Sequence, residues 1–337
     1  MVVHSRSTIV PFPLVLSLLL ISSTLTLSAS ISQRCNRSDK IALLKIKKSF
    51  NNPQDLASWN PTTDCCESWT YVTCDSQTNR VTQLSIAQAN ISGEISAAIG
   101  DLPYLRILTF DLISNLHGSI PSSIVNLHNL ISLIISQTNL SGPIPGFHSR
   151  LKNLDYLDLS YNQLSGSIPA SLADLPHLGG LTLSHNQLTG SIPDSFGRFS
   201  GYFHSLDLSD NYLSGEIPKS FAQLNLKSVY LSHNKLVGDP SVLFKENKIT
   251  ENMDLSWNLL DFDLSQVMFP RTLTYLDLSH NRIRGSIPRQ VTKLDLTDLD
   301  LSYNRLCGKI PIGGNVQRVG VFNNNACLCG PPLPKCK

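Results

Sequence analysis

The polar and apolar positions of this chain repeat with a fixed period. The string Leu157-Asp158-Leu159-Ser160-Tyr161-Asn162-Gln163-Leu164-Ser165-Gly166-Ser167-Ile168-Pro169 returns almost unchanged at 181–193, 206–218, 276–288 and 299–311. Leucine alternates with polar residues over Leu157 to Ser160, which predicts a short strand that buries Leu157 and Leu159 and presents Asp158 outward. Asn162 is expected to turn inward, where its amide satisfies backbone groups that the bend leaves unpaired. Gly166 permits a tight turn, Ile168 returns to the core and Pro169 opens a segment on the far side.

Aligned on the glycine, the copies fall at Gly93, Gly118, Gly142, Gly166, Gly190, Gly215, Gly238, Phe262, Gly285 and Gly308, ten repeats of about 24 residues. One unit cannot bury both leucine rows alone, so stacking is required, and the expected fold is an α/β solenoid with a parallel sheet and a continuous core. Asn162, Asn186, Asn211, Asn234, Asn258, Asn281 and Asn304 should form an amide ladder along it. Ala89 and Thr138 take the ladder position in earlier repeats, and an insertion blurs the second, so the ladder should be weaker near the N-terminus.

A solenoid exposes an apolar row at each end, and the eight cysteines lie where caps are needed: Cys35, Cys65, Cys66 and Cys74, then Cys307, Cys327, Cys329 and Cys336. Before the first cluster, His4 and Arg6 precede an apolar run from Val10 to Leu27 and the small residues Ser28, Ala29 and Ser30. This reads as a signal peptide over 1–30, the alternative being a retained anchor. No second apolar stretch of membrane-spanning length follows. Export makes the cysteines disulfides rather than a zinc site, for which the repeated two-residue gap is missing. Joining the neighbours Cys65 and Cys66 would strain the ring, which leaves two pairings per cluster. The simpler joins Cys35 to Cys65, Cys66 to Cys74, Cys307 to Cys327 and Cys329 to Cys336. The expected organisation is an N-terminal cap over 31–80, repeats over 81–311 and a C-terminal cap over 312–337. In the first cap, Ser38 or Asp39 can start a helix with Ile41, Leu43, Leu44, Ile46 and Phe50 on one face, above Trp59 and Trp69.

Charge adds exclusions. With 27 basic against 25 acidic residues in 337, and no basic run, nothing marks a nucleic-acid partner. No cofactor or metal motif occurs.

The Leu-x-Leu-x-x-Asn-x-Leu-x-Gly-x-Ile-Pro unit resembles the plant-type extracellular leucine-rich repeat. Ten copies, the end Leu306-Cys307-Gly308-Lys309-Ile310-Pro311, the segment Gly313-Gly314-Asn315-Val316-Gln317-Arg318 and the closing Cys327-Leu328-Cys329-Gly330-Pro331-Pro332 are similar to the polygalacturonase-inhibiting protein family. The irregular seventh and eighth repeats, around Asp239-Pro240 and Asp261-Phe262-Asp263, match it too. The resemblance implies a right-handed superhelix with a concave parallel sheet. It further implies a secreted, non-catalytic, monomeric cell-wall protein that binds fungal endopolygalacturonase and limits pectin breakdown. Pectin itself is a second candidate partner.

In such proteins the partner meets the exposed positions of the strands. Here these include Asp158, Thr182, Ser205, Asp207, Tyr230, Asp254 and Asp277, with His185, His233, Trp257 and His280 in the position before the asparagine. Tyr230 and Trp257 are the expected anchors, because large aromatics dominate protein interfaces. The competing reading is that each Asp belongs to the generic strand consensus. Pectin binding in the family uses basic residues, whereas this row offers histidines, which ordinarily titrate near about 6.5. Binding is therefore expected to strengthen as pH falls toward about 5. Adjacent Asp254, Asp277 and Asp300 could mimic a glycosidase pair and raise one another's pKa, but an open sheet offers no closed pocket. Ligand sensing and ice binding are the other non-catalytic alternatives. Asn36, Asn90 and Asn139 have glycan-acceptor form.

Overall fold

The computed structural model describes residues 35–147 and 150–336, so the signal-peptide reading of 1–30 lies outside the described residues. Parallel strands Val81–Ala87, Ile107–Gly118, Ser132–Pro143, Tyr156–Asp158, Gly180–Thr182, Ser205–Asp207, Ser228–Tyr230, Asn252–Asp254, Tyr275–Asp277 and Asp298–Asp300 pair successively into one ladder. An inward apolar residue pairs with its counterpart at each step, as in Leu157 with Leu181, Val229 with Met253 and Leu276 with Leu299, so consecutive repeats share one register. The inward leucines are fully buried. In most repeats the chain then reaches the repeat glycine at a φ near +80°, as at Gly166 and Gly190, which a Cβ would disfavour; the eighth repeat has Phe262 there. A short 3-10 turn then begins after a proline, as at Ala170–Asp174 after Pro169.

The asparagine ladder forms with both ends of each amide engaged. The Asn186 Nδ2 donates to the carbonyls of Leu159, Leu183 and Ser184 at 2.9, 3.1 and 3.1 Å, and the Oδ1 accepts from the Leu164 N–H at 3.0 Å. In the N-terminal repeats Ala89, Ile113 and Thr138 fill this position and are buried, and only Thr138 carries a hydroxyl, which donates to Asn162. The insertion in the second repeat appears as a register shift between Ile113 and His117.

The caps cover both ends. Helix α1 spans Arg37–Ser49, and its N-cap is Asn36 rather than Ser38 or Asp39: the Asn36 Oδ1 accepts from the Ser38 N–H at 3.0 Å and the Asp39 N–H at 3.5 Å. Asp39 is instead buried, accepting from Arg80 Nε and Nη2 at 2.9 and 2.7 Å and from the Val81 N–H at 2.9 Å. Leu43, Ile46 and Phe50 face the core, but Ile41 is exposed, because its spacing places it on the flank of the stripe. Trp59 and Trp69 stack at 5.4 Å, both buried. The disulfides are Cys35–Cys65, Cys66–Cys74, Cys307–Cys327 and Cys329–Cys336. Among the described residues no helix is long and apolar enough to cross a membrane.

Candidate functional site

Because side chains alternate across a strand, every repeat projects two residues from the same sheet face, and the parallel register lines them into columns. The first column contains Tyr156, Gly180, Ser205, Ser228, Asn252, Tyr275 and Asp298; the second contains Asp158, Thr182, Asp207, Tyr230, Asp254, Asp277 and Asp300. The structure thus brings Asp158, Thr182, Asp207, Tyr230, Asp254 and Asp277 onto one line and puts Ser205 beside it.

The aspartates of that line have a local duty. The Oδ1 of Asp158, Asp207, Asp254, Asp277 and Asp300 accepts from the N–H of the serine two residues on, at 2.8 to 3.0 Å. These carboxylates hold the exit of the strand, and their second oxygens complete an acidic stripe. Asp254, Asp277 and Asp300 are direct cross-strand neighbours, about 4.8 Å apart per strand. Burial first, and then these two neighbours, push the Asp277 carboxyl up to about 6. Proximity alone, the cause read from sequence, is the smaller one. The adjoining Tyr275 hydroxyl is pushed up to about 12 by burial and by Asp254, Asp277 and Asp298.

A third row runs along the ends of the strands. Tyr161, His185, Asp210, His233, Trp257, His280 and Tyr303 all have φ between 52 and 55°, a left-handed conformation that non-glycine residues rarely adopt. Repeating the same bend in successive repeats superposes the rings. Tyr161 stacks on His185 at 4.0 Å; His233 stacks on Trp257 at 5.3 Å, Trp257 on His280 at 3.7 Å, and His280 on Tyr303 at 4.1 Å. Between the two stacks, His185 Nε2 lies 3.4 Å from Asp210. The histidines lie two repeats apart and each touches a neighbour in the row, and Trp257 is flanked on both faces, offering its edge as part of a ridge. Tyr230 is half-buried in the neighbouring column.

Tyr161 and Tyr303 share the alignment column of His185 and Trp257 and complete the ridge. Tyr156 and Tyr275 were absent from the expected contact set; the repeat register would have found them, since they occupy the column of Ser205. Among the acceptor-form asparagines, Asn90 and Asn139 are exposed, while Asn36 uses its Oδ1 in the helix cap. Every cysteine is in a disulfide, so the close sulfurs of Cys35, Cys65 and Cys66 are not metal-binding thiolates.

Comparison with known proteins agrees with this architecture. The family description "Leucine rich repeat N-terminal domain" matches residues 36–75, and leucine-rich repeat descriptions match 128–188, 202–224, 272–294 and 295–313. A polygalacturonase inhibitor of Pyrus communis is 60% identical over 97% of this chain and 99% of its own length. One of Vitis vinifera is 58% identical over 95% and 97%. The crystal structure of a plant ice-binding protein superposes with a TM-score of 0.87 at 47% identity, covering 90% of this chain and 99% of that one.

Proposed function

Because this chain belongs to the polygalacturonase inhibitor family of plant leucine-rich repeat proteins, we propose that it binds and inhibits fungal endopolygalacturonase with the exposed face of its sheet. The observation that carries the reading is identity of 60% to an inhibitor from end to end, including both caps. The surface suits the task. An enzyme is recognised over a broad area with a few aromatic anchors and a polar surround, and the stacked ridge beside the acidic stripe supplies both. The role is non-catalytic: the aspartates are engaged at their own turns and lie on an open face.

Four disulfides accord with an oxidising, extracellular setting, and we place the protein in the plant cell wall as a monomer. As pH falls through about 6, Asp277 loses its charge, so the face becomes less acidic. Pectin, a polyanion, and the enzyme are then both held more firmly near pH 5. Equal affinity at pH 5 and pH 7.5 would remove this part of the proposal.

The direct test is release of reducing ends from polygalacturonic acid by a panel of fungal endopolygalacturonases, with and without the purified protein. Inhibition is expected; Trp257→Ala or Tyr230→Ala weakens it, while Lys219→Ala, on an exposed 3-10 turn away from the sheet, does not. No binding across the panel would transfer the reading to ligand sensing. Ice binding, suggested by the similar crystal structure, calls for a flat array of like groups, whereas these columns mix aspartate, tyrosine, histidine and tryptophan. Thermal hysteresis at micromolar protein would reinstate it.

A further inference from the structure

At the opposite edge of the sheet, where the strands begin, the first five repeats enclose a groove of about 790 Å³ that the proposed inhibitory surface does not use. Tyr202 stands at its far end and Tyr104 near its other end, where Asp75, Gln77 and Thr78 of the cap also line it; the two rings are 70% and 45% exposed, with Asn129, Asn153 and Asp155 among the residues between them. Tyr104 and Tyr202 occupy equivalent positions four repeats apart, a span of about 19 Å at roughly 4.8 Å per strand.

Three features define what this groove can hold. Its floor offers no free backbone. The N–H groups of Arg106, Ile131, Asp155 and Gly179 each donate at 2.8 Å to the carbonyl of the residue one repeat earlier, so an extended peptide could not add to the sheet here. Its formal charge is small and negative. Arg106 shares the groove with two carboxylates, Asp155 and Asp75, the latter already accepting from the Thr78 N–H and hydroxyl, so a polyanion gains little. Its polar groups are fixed planes. The Nδ2 atoms of Asn129 and Asn153 are tied to the carbonyls of Pro103 and His128 at 2.8 and 3.0 Å, leaving each Oδ1 as an oriented acceptor. One ring is similarly steadied: the Arg80 guanidinium, anchored on buried Asp39, covers a face of Tyr104 at 4.0 Å, while Tyr202 lies tilted beside His177 at 6.3 Å.

Exposed aromatic rings toward both ends, with planar amide, carboxylate and guanidinium groups beside them, are the complement of a chain of sugar rings. Such a ligand has apolar ring faces and equatorial hydroxyls that donate and accept. We propose that this groove binds a neutral oligosaccharide several pyranose units long. The site is separate from the inhibitory surface, so it extends the proposed function without depending on it.

Titration calorimetry of the intact protein with cellohexaose, xylohexaose and mannohexaose, and with the galacturonic acid hexamer as the anionic probe, tests it. At least one neutral hexamer should bind, with affinity insensitive to added salt. Tyr202→Ala or Tyr104→Ala should lower that affinity roughly tenfold, the scale of one aromatic stacking contact. Both tyrosines are exposed, so the variants should keep the wild-type melting temperature and inhibitory strength. The proposal fails if no neutral hexamer saturates the protein, if only the galacturonic acid hexamer binds, or if both tyrosine variants bind like wild type.

Discussion

Asp277→Asn should stabilise the protein near neutral pH and do nothing at low pH. Asp277 lies between Asp254 and Asp300 on the adjoining strands, and its carboxyl titrates at about 6 instead of 3.8. The unfolded chain therefore gives up this proton near 3.8, while the folded chain holds it until about 6. Between those values the folded state binds more protons, so its stability falls as pH rises, and the loss is complete above about 6. At full strength the difference corresponds to about 3 kcal/mol. The carboxylate is only partly buried, and screening by solvent reduces this to about 1 to 2 kcal/mol. Asparagine removes the charge but keeps an Oδ1 that can accept from the Ser279 N–H, the bond that holds the strand exit at 2.8 Å.

The assay is urea unfolding of wild type and variant, disulfides intact, at several values between pH 3.5 and 7.5, followed by far-ultraviolet circular dichroism. The midpoints should coincide at the acid end and separate progressively, with the variant more stable by about 1 to 2 kcal/mol above pH 6.5. A difference that does not vary with pH would show that packing or hydrogen bonding, not the buried charge, governs this position. A variant less stable at pH 7 would show that the carboxylate's bond to Ser279 outweighs the repulsion.

The remaining predictions concern the core, the cap and the ridge. Asn258→Ala removes donations to the carbonyls of Leu231, Leu255 and Ser256 and orphans the Leu236 N–H, so it should cost about 2 to 4 kcal/mol. Hydrogen exchange should show the Leu236 amide losing protection before amides in distant repeats. Arg80→Met leaves the Asp39 carboxylate buried with one remaining bond, from Val81, and should cost about 3 to 5 kcal/mol in urea unfolding. Unchanged stability would mean that Asp39 is taken up by water or protonated at no cost. His280→Ala removes the ring between Trp257 and Tyr303, and should weaken polygalacturonase inhibition while costing no more than about 1 kcal/mol of stability, since the ring is only half-buried.

Period and burial were legible in the sequence because they depend on local chemistry repeated many times. Leu157, Leu159 and Asn162 announce strand, core and ladder, and each later copy corroborates them. The strand-end ridge was not legible as a structure. Its left-handed backbone is occupied by Tyr161, His185, Asp210 and Trp257, of which only His and Asp lean toward a positive φ; the fold imposes the conformation, and the ring stacking follows only once the repeats are superposed. The groove was hidden for a different reason. Tyr104, Asn129, Asn153 and Tyr202 come from loops between repeats, where the consensus places no constraint and where no single repeat contains the site. Ile41 shows the reverse error, an apolar residue counted as core because it neighbours a helical stripe, yet exposed on its flank.

The C-terminal end shows how a physical requirement can locate what a pattern misses. From Asn186 onward each ladder asparagine accepts from an N–H in the repeat before it, so Asn304, which serves the Ile283 N–H, leaves the Leu306 N–H in need of a further amide. The consensus stops at Pro311 and supplies none. The structure provides it from the cap: Gly320–Val321 pairs in parallel with Asp298–Asp300, Phe322 is buried where the second leucine of a repeat would sit, and the Asn325 Oδ1 accepts from Leu306 at 3.0 Å. The Asn325 Nδ2 in turn donates to the carbonyls of Leu301 and Phe322 at 2.9 and 3.0 Å. The cap is thus a fragment of an eleventh coil with its leucines replaced, and the disulfides Cys307–Cys327 and Cys329–Cys336 hold it in place, the first by joining the last full repeat to it. At the other end no such amide is needed, because Ala89 and Ile113 never began the ladder and the buried Asp39 and Trp59 close the core instead.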